Sequence, residues 1–251
     1  MTTLVHLASR LYGTPLLIAR AKLDTILAVL GPRLGLMHTE LAVPITVPTQ
    51  SEPMPSMPGI AVIPIHGTLV RRAVGLDAAS GLTSYARIAA DIDAALAAPE
   101  VVGILLDIDS PGGEAGGVFE LGARIREASA IKPIWAHAGD AAFSAAYALA
   151  CATQRVSLSA TGGVGSIGVI ALHIDQSVRN AQNGLSVTAL TAGAHKNDGT
   201  PHAPLTPQAT AALQSEIDRL YALFGDHVAD MRGLDAERVR ATEAALFFGD
   251  D

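Results

Sequence analysis

The chain has 251 residues and a formal net charge of −7, with 49% hydrophobic and only 16% charged residues. That composition suits one large domain, or a domain with a small appendage, built on a well-buried core, and it argues against disorder. The acidic balance offers no basic footprint, so neither nucleic acid nor an anionic membrane surface is expected as a partner.

A single cysteine, Cys151, cannot close an internal disulfide, which fits a reducing compartment. The most apolar early stretch, Leu11 to Met37, is interrupted by Arg20, Lys22, Asp24 and Arg33. A membrane span needs about 18 or more apolar residues with few charges. The N-terminus also lacks the basic start, apolar run and small-residue cleavage site of a signal peptide. A protein made without export is expected. Positive charge is carried mainly by arginine, and only Lys22, Lys132 and Lys196 are lysines.

Residues 1 to about 40 read as an amphipathic helix with Leu16, Leu17, Leu23, Ile26, Leu27 and Leu30 on one stripe, broken at Gly31-Pro32. Residues 44–58 carry five prolines among Ser, Thr and Gln and read as a linker. The predicted organisation is an N-terminal helical arm (1–43), a Pro-rich linker (44–58) and a main domain (59–251). From Gly59 strands and helices alternate. Strands are expected at Ile60–Ile65, Val101–Ile108, Pro133–His137, Arg155–Leu158, Val169–Ile174 and Ser186–Leu190. Helices are expected at Ser84–Ala97, Gly117–Ala128, Ala142–Ala152, Asp175–Asn183 and Pro207–Asp230. Such alternation implies parallel strands joined by right-handed crossovers, an α/β fold.

In open α/β folds chemistry collects on loops at the carboxyl ends of the strands. Three loops stand out. Asp109-Ser110-Pro111-Gly112-Gly113 follows a strand, and paired glycines can aim backbone N–H groups outward as an oxyanion hole requires; the same pattern also makes an ordinary turn. Ser144, set among alanines in Gly139 to Tyr147, would present its hydroxyl at a helix start. It equally suits a small packing serine. Its surroundings differ from Gly-x-Ser-x-Gly, so the nucleophile elbow of the usual hydrolases is not expected. Lys196, in Gly193 to Asp198, becomes a base if buried, since desolvation disfavours its charged form. Exposed, it is a solvated loop residue. A Ser–Lys pair is a known variant of the catalytic triad. His195 is its awkward neighbour, since Ser–His is the more familiar pairing. The other histidines show no metal-ligand spacing, and no metal or cofactor is expected.

Five segments occur in order: Ile60 to Gly67, Asp109 to Gly113, Gly139 to Tyr147, Gly165-Ser166-Ile167-Gly168-Val169, and Gly193 to Lys196. Together they resemble the signal peptide peptidase A family of serine peptidases, including its phage and prophage head-protease members, over residues 59–250. The resemblance implies a crotonase/caseinolytic-protease-like spiral of parallel strands and helices that assembles into homo-oligomers. It implies Ser144 as nucleophile and Lys196 as general base, with Ser166 orienting the lysine amine. Gly113 with Gly112 beside it, and the N–H of Ala145, would form the oxyanion hole. No membrane anchor is visible, and Ser-Ala-Ala-Tyr replaces the Ser-Gly-Gly-Tyr of cellular members. Both features favour the phage-type branch, which cleaves scaffold and capsid proteins, and itself, inside the assembling head in the host cytoplasm. The resemblance also implies a further short element beyond Asp251. Two other readings stay open: a crotonase-like acyl-CoA enzyme, and a non-catalytic assembly component with a protease-like shape.

Overall fold

The computed structural model describes residues 14–33, 59–72 and 81–249. In chain order these form β1 (Leu16–Ile18), α1 (Arg20–Arg33), β2 (Ile60–His66), β3 (Thr68–Val70), β4 (Leu82–Ser84), α2 (Tyr85–Ala97), β5 (Gly103–Ser110) and β6 (Gly112–Glu114). There follow α3 (Val118–Ser129), β7 (Ile134–Phe143), α4 (Ala145–Ala150), β8 (Arg155–Leu158), β9 (Gly163–Gly165), α5 (Ser177–Gln182), α6 (Pro207–Arg232), α7 (Ala236–Arg240) and β10 (Leu246–Phe248). The Pro-rich stretch, and the expected arm outside 14–33, lie beyond the described residues.

The fold is mixed α/β. Its main sheet runs β10-β9-β7-β5-β2, with β2, β5, β7 and β9 parallel and β10 antiparallel to β9. Pro64, which cannot donate to a ladder, sits on β2, paired only through β5 in the described sheet. β7 serves two partners in succession: Trp135–Ala138 pairs with β8 and Ala141–Phe143 with β9. That handover carries the end of β7, and the residue after it, beside β9. A second, smaller sheet runs β1-β6-β3-β4.

Local chemistry explains the helix boundaries. The Ser84 hydroxyl accepts the Arg87 N–H at 3.2 Å, capping α2, whose Ile88 and Ile92 are fully buried on one face. Thr206 caps α6 through the Ala209 N–H at 3.1 Å, Pro207 opens the first turn, and Gly233 ends it with a φ of 63°. The Lys132 ammonium donates to the Ala95 and Ala98 carbonyls at 2.9 and 2.7 Å, closing the C-terminal end of α2.

Four expectations are corrected. Leu16 and Leu17 lie on a strand rather than a helix, and α1 starts only at Arg20. β6 offers Leu16–Ile18 a strand partner on one edge, and Ile170 pairs with Leu16 on the other. The small-residue helix expected at 142–152 shrinks to Ala145–Ala150, because β7 runs on to Phe143 and Ser144 turns sharply. Val169–Ile174 carries isolated bridging, with Leu16 opposite Ile170, but no continuous strand. Ser186–Leu190 is not a strand at all: residues 181–196 are exposed, with nothing for an apolar face to pack on.

Candidate active site

Ser144 stands where β7 becomes α4, with φ 56° and ψ −119°. A non-glycine residue held at positive φ costs about 1–3 kcal/mol and persists only where surrounding structure enforces it. Here the enforcement is visible. The Ser144 N–H donates to the Gly165 carbonyl at 2.8 Å, and its own carbonyl accepts the Ala148 N–H at 3.0 Å. Ala142 and Ala146 flank the turn and are fully buried. The elbow geometry therefore forms without the glycines of Gly-x-Ser-x-Gly, because alanine is small enough for both close approaches. The motif of the usual hydrolases is absent, as expected, yet the turn has a comparable strained geometry.

The Ser144 hydroxyl is buried and has no hydrogen-bond partner, alone among the buried side-chain N and O atoms of the described residues. An unsatisfied buried hydroxyl costs about 1–3 kcal/mol. Strain and an orphaned polar atom thus coincide on one residue. The sequence could not show either.

The glycine loop arrives from β5 and β6. The Ser110 hydroxyl, buried, accepts the Gly112 N–H at 3.2 Å and fixes the loop. Gly112 has a φ of 99°, and a Cβ there would lie 3.0 Å from both the Ala145 nitrogen and the Phe143 carbonyl oxygen. Only glycine lets the loop close onto the start of α4. Gly113 is required too, since a Cβ would stand 1.9 Å from the Leu69 carbonyl oxygen. The structure therefore brings Gly112, Gly113, Ser144 and Ala145 together.

Ser166 joins them from β9. It follows Gly165, the acceptor of the Ser144 N–H, and has a φ of 55°. Its N–H donates to the Ala245 carbonyl at 2.8 Å, so the segment leading into β10 holds this turn in place. A cavity of about 190 Å³ opens beside Gly165, bounded by Tyr147, Ile167, Val239, Thr242 and Phe247. The side of β9 away from solid packing is thus apolar. Burial raises the Tyr147 hydroxyl above its ordinary range, with Cys151 adding to the rise and Arg232 opposing it. Burial likewise pushes the Cys151 thiol up to about 12, against the pull of Arg232 and Arg126, so it stays a protonated core residue rather than a nucleophile.

Lys196 is not brought to this centre. It is exposed on the connection between α5 and α6, and it makes no hydrogen bond to the Ser144 hydroxyl. Its neighbour His195 is engaged elsewhere, its Nδ1 lying 2.7 Å from Asp198 Oδ2, so no Ser–His pair forms. Of the other lysines, Lys132 is committed to the α2 carbonyls and Lys22 is exposed on α1. Sequence reading missed two participants in the local geometry. Ser110 carries no special signal in its motif, and β1, which lies against the glycine loop, was read as helix because its leucines share the stripe of the following helix.

A family model described as Peptidase family S49 matches residues 126–251, a span that holds Ser144, Ser166 and Lys196. The chain belongs to peptidase family S49. Among its relatives, the head-tail preconnector protein GP5 of Enterobacteria phage P21 is 42% identical over 76% of the chain and 38% of that protein. The capsid assembly protease C of Escherichia phage lambda is 34% identical over 100% of the chain and 61% of that protein. A candidate signal peptide peptidase SppA of Enterococcus faecium is 26% identical over 56% of the chain and 41% of its own length. The chain thus spans between about two fifths and three fifths of the length of these relatives. No helix among the described residues is long and apolar enough to cross a membrane.

Proposed function

We propose that the chain is a serine endopeptidase whose nucleophile is Ser144, acting on scaffold and capsid proteins, and on itself, during phage head maturation. The observation that carries this reading is the hydroxyl of Ser144: buried, unpartnered and mounted on a strained strand-to-helix turn beside a glycine loop. Buried hydroxyls are ordinarily hydrogen-bonded, so one left over on a strained turn fits a reacting group. Membership of family S49 and the similarity to a phage capsid assembly protease support a proteolytic role in head assembly.

In this reading the neutral amine of Lys196 takes the Ser144 proton as the oxygen attacks a peptide carbonyl. The N–H groups of Gly113 and Ala145 receive the oxyanion, an interaction worth about 3–4 kcal/mol per donor in well-measured cases. Gly112 shapes the loop instead, since its N–H is taken by Ser110. Protonated Lys196 supplies the leaving amine, and water releases the acyl group from Ser144. In this reading Ser166, one residue from the Ser144 backbone partner, orients the amine.

Lys196 reaches Ser144 when copies of the chain assemble. Its loop exposes Leu185, Val187 and Leu190, the last 94% exposed, and such side chains are buried by association. The parallel β2-β5-β7-β9 sheet with the smaller sheet beside it supports a crotonase/caseinolytic-protease-like spiral, with residues 59–251 as the peptidase domain behind an N-terminal arm and linker. The setting is the assembling procapsid.

The reading is tested by intact mass spectrometry of wild type, Ser144→Ala and Lys196→Ala, each incubated with a denatured protein substrate. New fragments from wild type alone support it. Identical fragments from all three would place the activity elsewhere. The exposure of Lys196 favours a second reading, a non-catalytic assembly component, and no cutting by any of the three in the presence of capsid partners would establish that one.

A further inference from the structure

We propose that the segment Leu16–Ala19 occupies the peptide groove of the Ser144 centre, so that the chain folds self-blocked and a substrate strand must displace it; this rests on reading Ser144 as the nucleophile. β1 is antiparallel to β6, with Leu16 opposite Glu114, Leu17 opposite Gly113 and Ile18 opposite Gly112. On its other edge Leu16 exchanges two hydrogen bonds with Ile170, at 2.7 and 2.9 Å. An extended strand alternates the direction of its backbone groups. Because Leu16 spends its N–H and carbonyl on Ile170, those of Leu17 turn toward Gly113. The Ala19 N–H then donates to the Pro111 carbonyl at 2.8 Å.

The position of the Leu17 carbonyl decides the matter. A Cβ on Gly112 would stand 2.2 Å from the Leu17 carbonyl oxygen and 3.0 Å from the Ala145 nitrogen. The carbonyl of Leu17 and the first N–H of α4, proposed to receive the oxyanion, therefore both crowd the same Gly112 turn. Leu17 is fully buried in the main core, and Ser144 has no exposed surface. Leu16 and Ile18 alternate to the other side and form a separate apolar cluster with Leu23, Ile26, Leu27, Ile170 and Leu172. A helix–strand segment is thus clamped by both ladders and two apolar clusters.

If β1 leaves, β6 and Ile170 are left with unpaired backbone groups on facing edges. An extended peptide satisfies these by strand addition, with side chains alternating between two apolar surfaces. The ligand class is accordingly an extended segment with an aliphatic residue at the Leu17 position. A tethered occupant competes at a high effective concentration. The affinity of any free peptide falls by the fraction of chains with the groove open.

A fluorescein-labelled peptide with the sequence of Thr14–Arg20 is titrated into the full chain and into its Leu17→Asp and Ala19→Pro variants. Burying a carboxylate expels β1, and tighter binding on the order of a hundredfold is expected for Leu17→Asp. Ala19→Pro removes one ladder hydrogen bond and changes only a small buried side chain outside both apolar clusters, so it folds even where Leu17→Asp fails. Its expected gain is roughly fivefold. Equal binding to wild type and folded variants, or binding to none of them, overturns the proposal. In the same samples, labelling of Ser144 by a fluorophosphonate should accelerate in the same order. With the samples shown to be oligomeric by light scattering, peptide binding enhanced in the variants without any labelling would support the occupied groove and overturn Ser144 as the nucleophile.

Discussion

Ser144 and Lys196 lie in regions built on opposite terms. Ser144 is enclosed: its N–H, its carbonyl and the alanines around it are all committed, and positive φ is imposed on it and on Ser166. The connection carrying Lys196 is open, and the Cβ of Gly193, at φ 96°, would meet nothing within 4 Å. One region stores strain because packing can enforce it. The other spends no packing on its lysine. On the proposed reading, a dyad divided in this way is inactive until a further contact positions Lys196, which suits a protease that waits for an assembling shell.

The largest effect that would sharpen this contrast is on cleavage. Ser144→Ala should lower the rate by about 10⁴-fold or more in a fragment-release assay. Its melting temperature should hold or rise, since the variant removes an unsatisfied buried hydroxyl. A clear loss of stability would mean the hydroxyl has a structural partner after all. Lys196→Ala should match the loss of rate while changing stability by less than about 0.5 kcal/mol, as expected for an exposed loop position. Retained cleavage would break the comparison at its weaker half.

Two glycines give the next test. Gly165→Ala places a Cβ 2.5 Å from the Ala245 carbonyl oxygen at a φ of 104° and disturbs the acceptor of the Ser144 N–H. Denaturant unfolding should show a cost of about 2–4 kcal/mol, with cleavage lost as well. Gly193→Ala carries the φ penalty alone and should cost about 1 kcal/mol. Equal costs would show that the two regions are not differently packed.

The smallest effect is a pH dependence. Burial holds the His227 imidazole below its ordinary 6.5, although the Ala148 carbonyl accepts from it at 2.8 Å and, with Asp230, opposes the shift. A histidine with a lowered folded value binds fewer protons than in the unfolded chain. Stability should therefore decline as pH falls from about 6.5 and level off below the folded value. His227→Gln should flatten that decline in unfolding curves measured between pH 7 and 5. An unchanged slope would assign it to other groups.

Much of the fold was legible because short-range chemistry sets it. The Ser84 cap and the Ile88–Ile92 spacing located α2, and apolar runs located β2, β5 and β8. Residues 16–19 were misread because three apolar residues beside a helix share its stripe, and only the glycine loop, distant in sequence, offers them a strand partner. The same limit affected the site. Gly112, Gly113 and Ser144 could be nominated by residue type, Ala145 and Ser166 only through the family resemblance, and Gly165, next to Ser166, accepts the Ser144 N–H. Whether Ser144 is strained, or Lys196 exposed, depends on what packs against each.

By itself the sequence determined the alternation of strands and helices, the family to which those segments are similar, and which serines, glycines and lysine to examine. Tertiary structure alone decided that Ser144 is buried without a partner, that Lys196 stands apart from it, and that Leu16–Ile18 lies on the glycine loop. The physical reason is range. Periodicity, caps and turn residues act over a few neighbours, whereas burial, strain and strand pairing are properties of segments brought together from far along the chain.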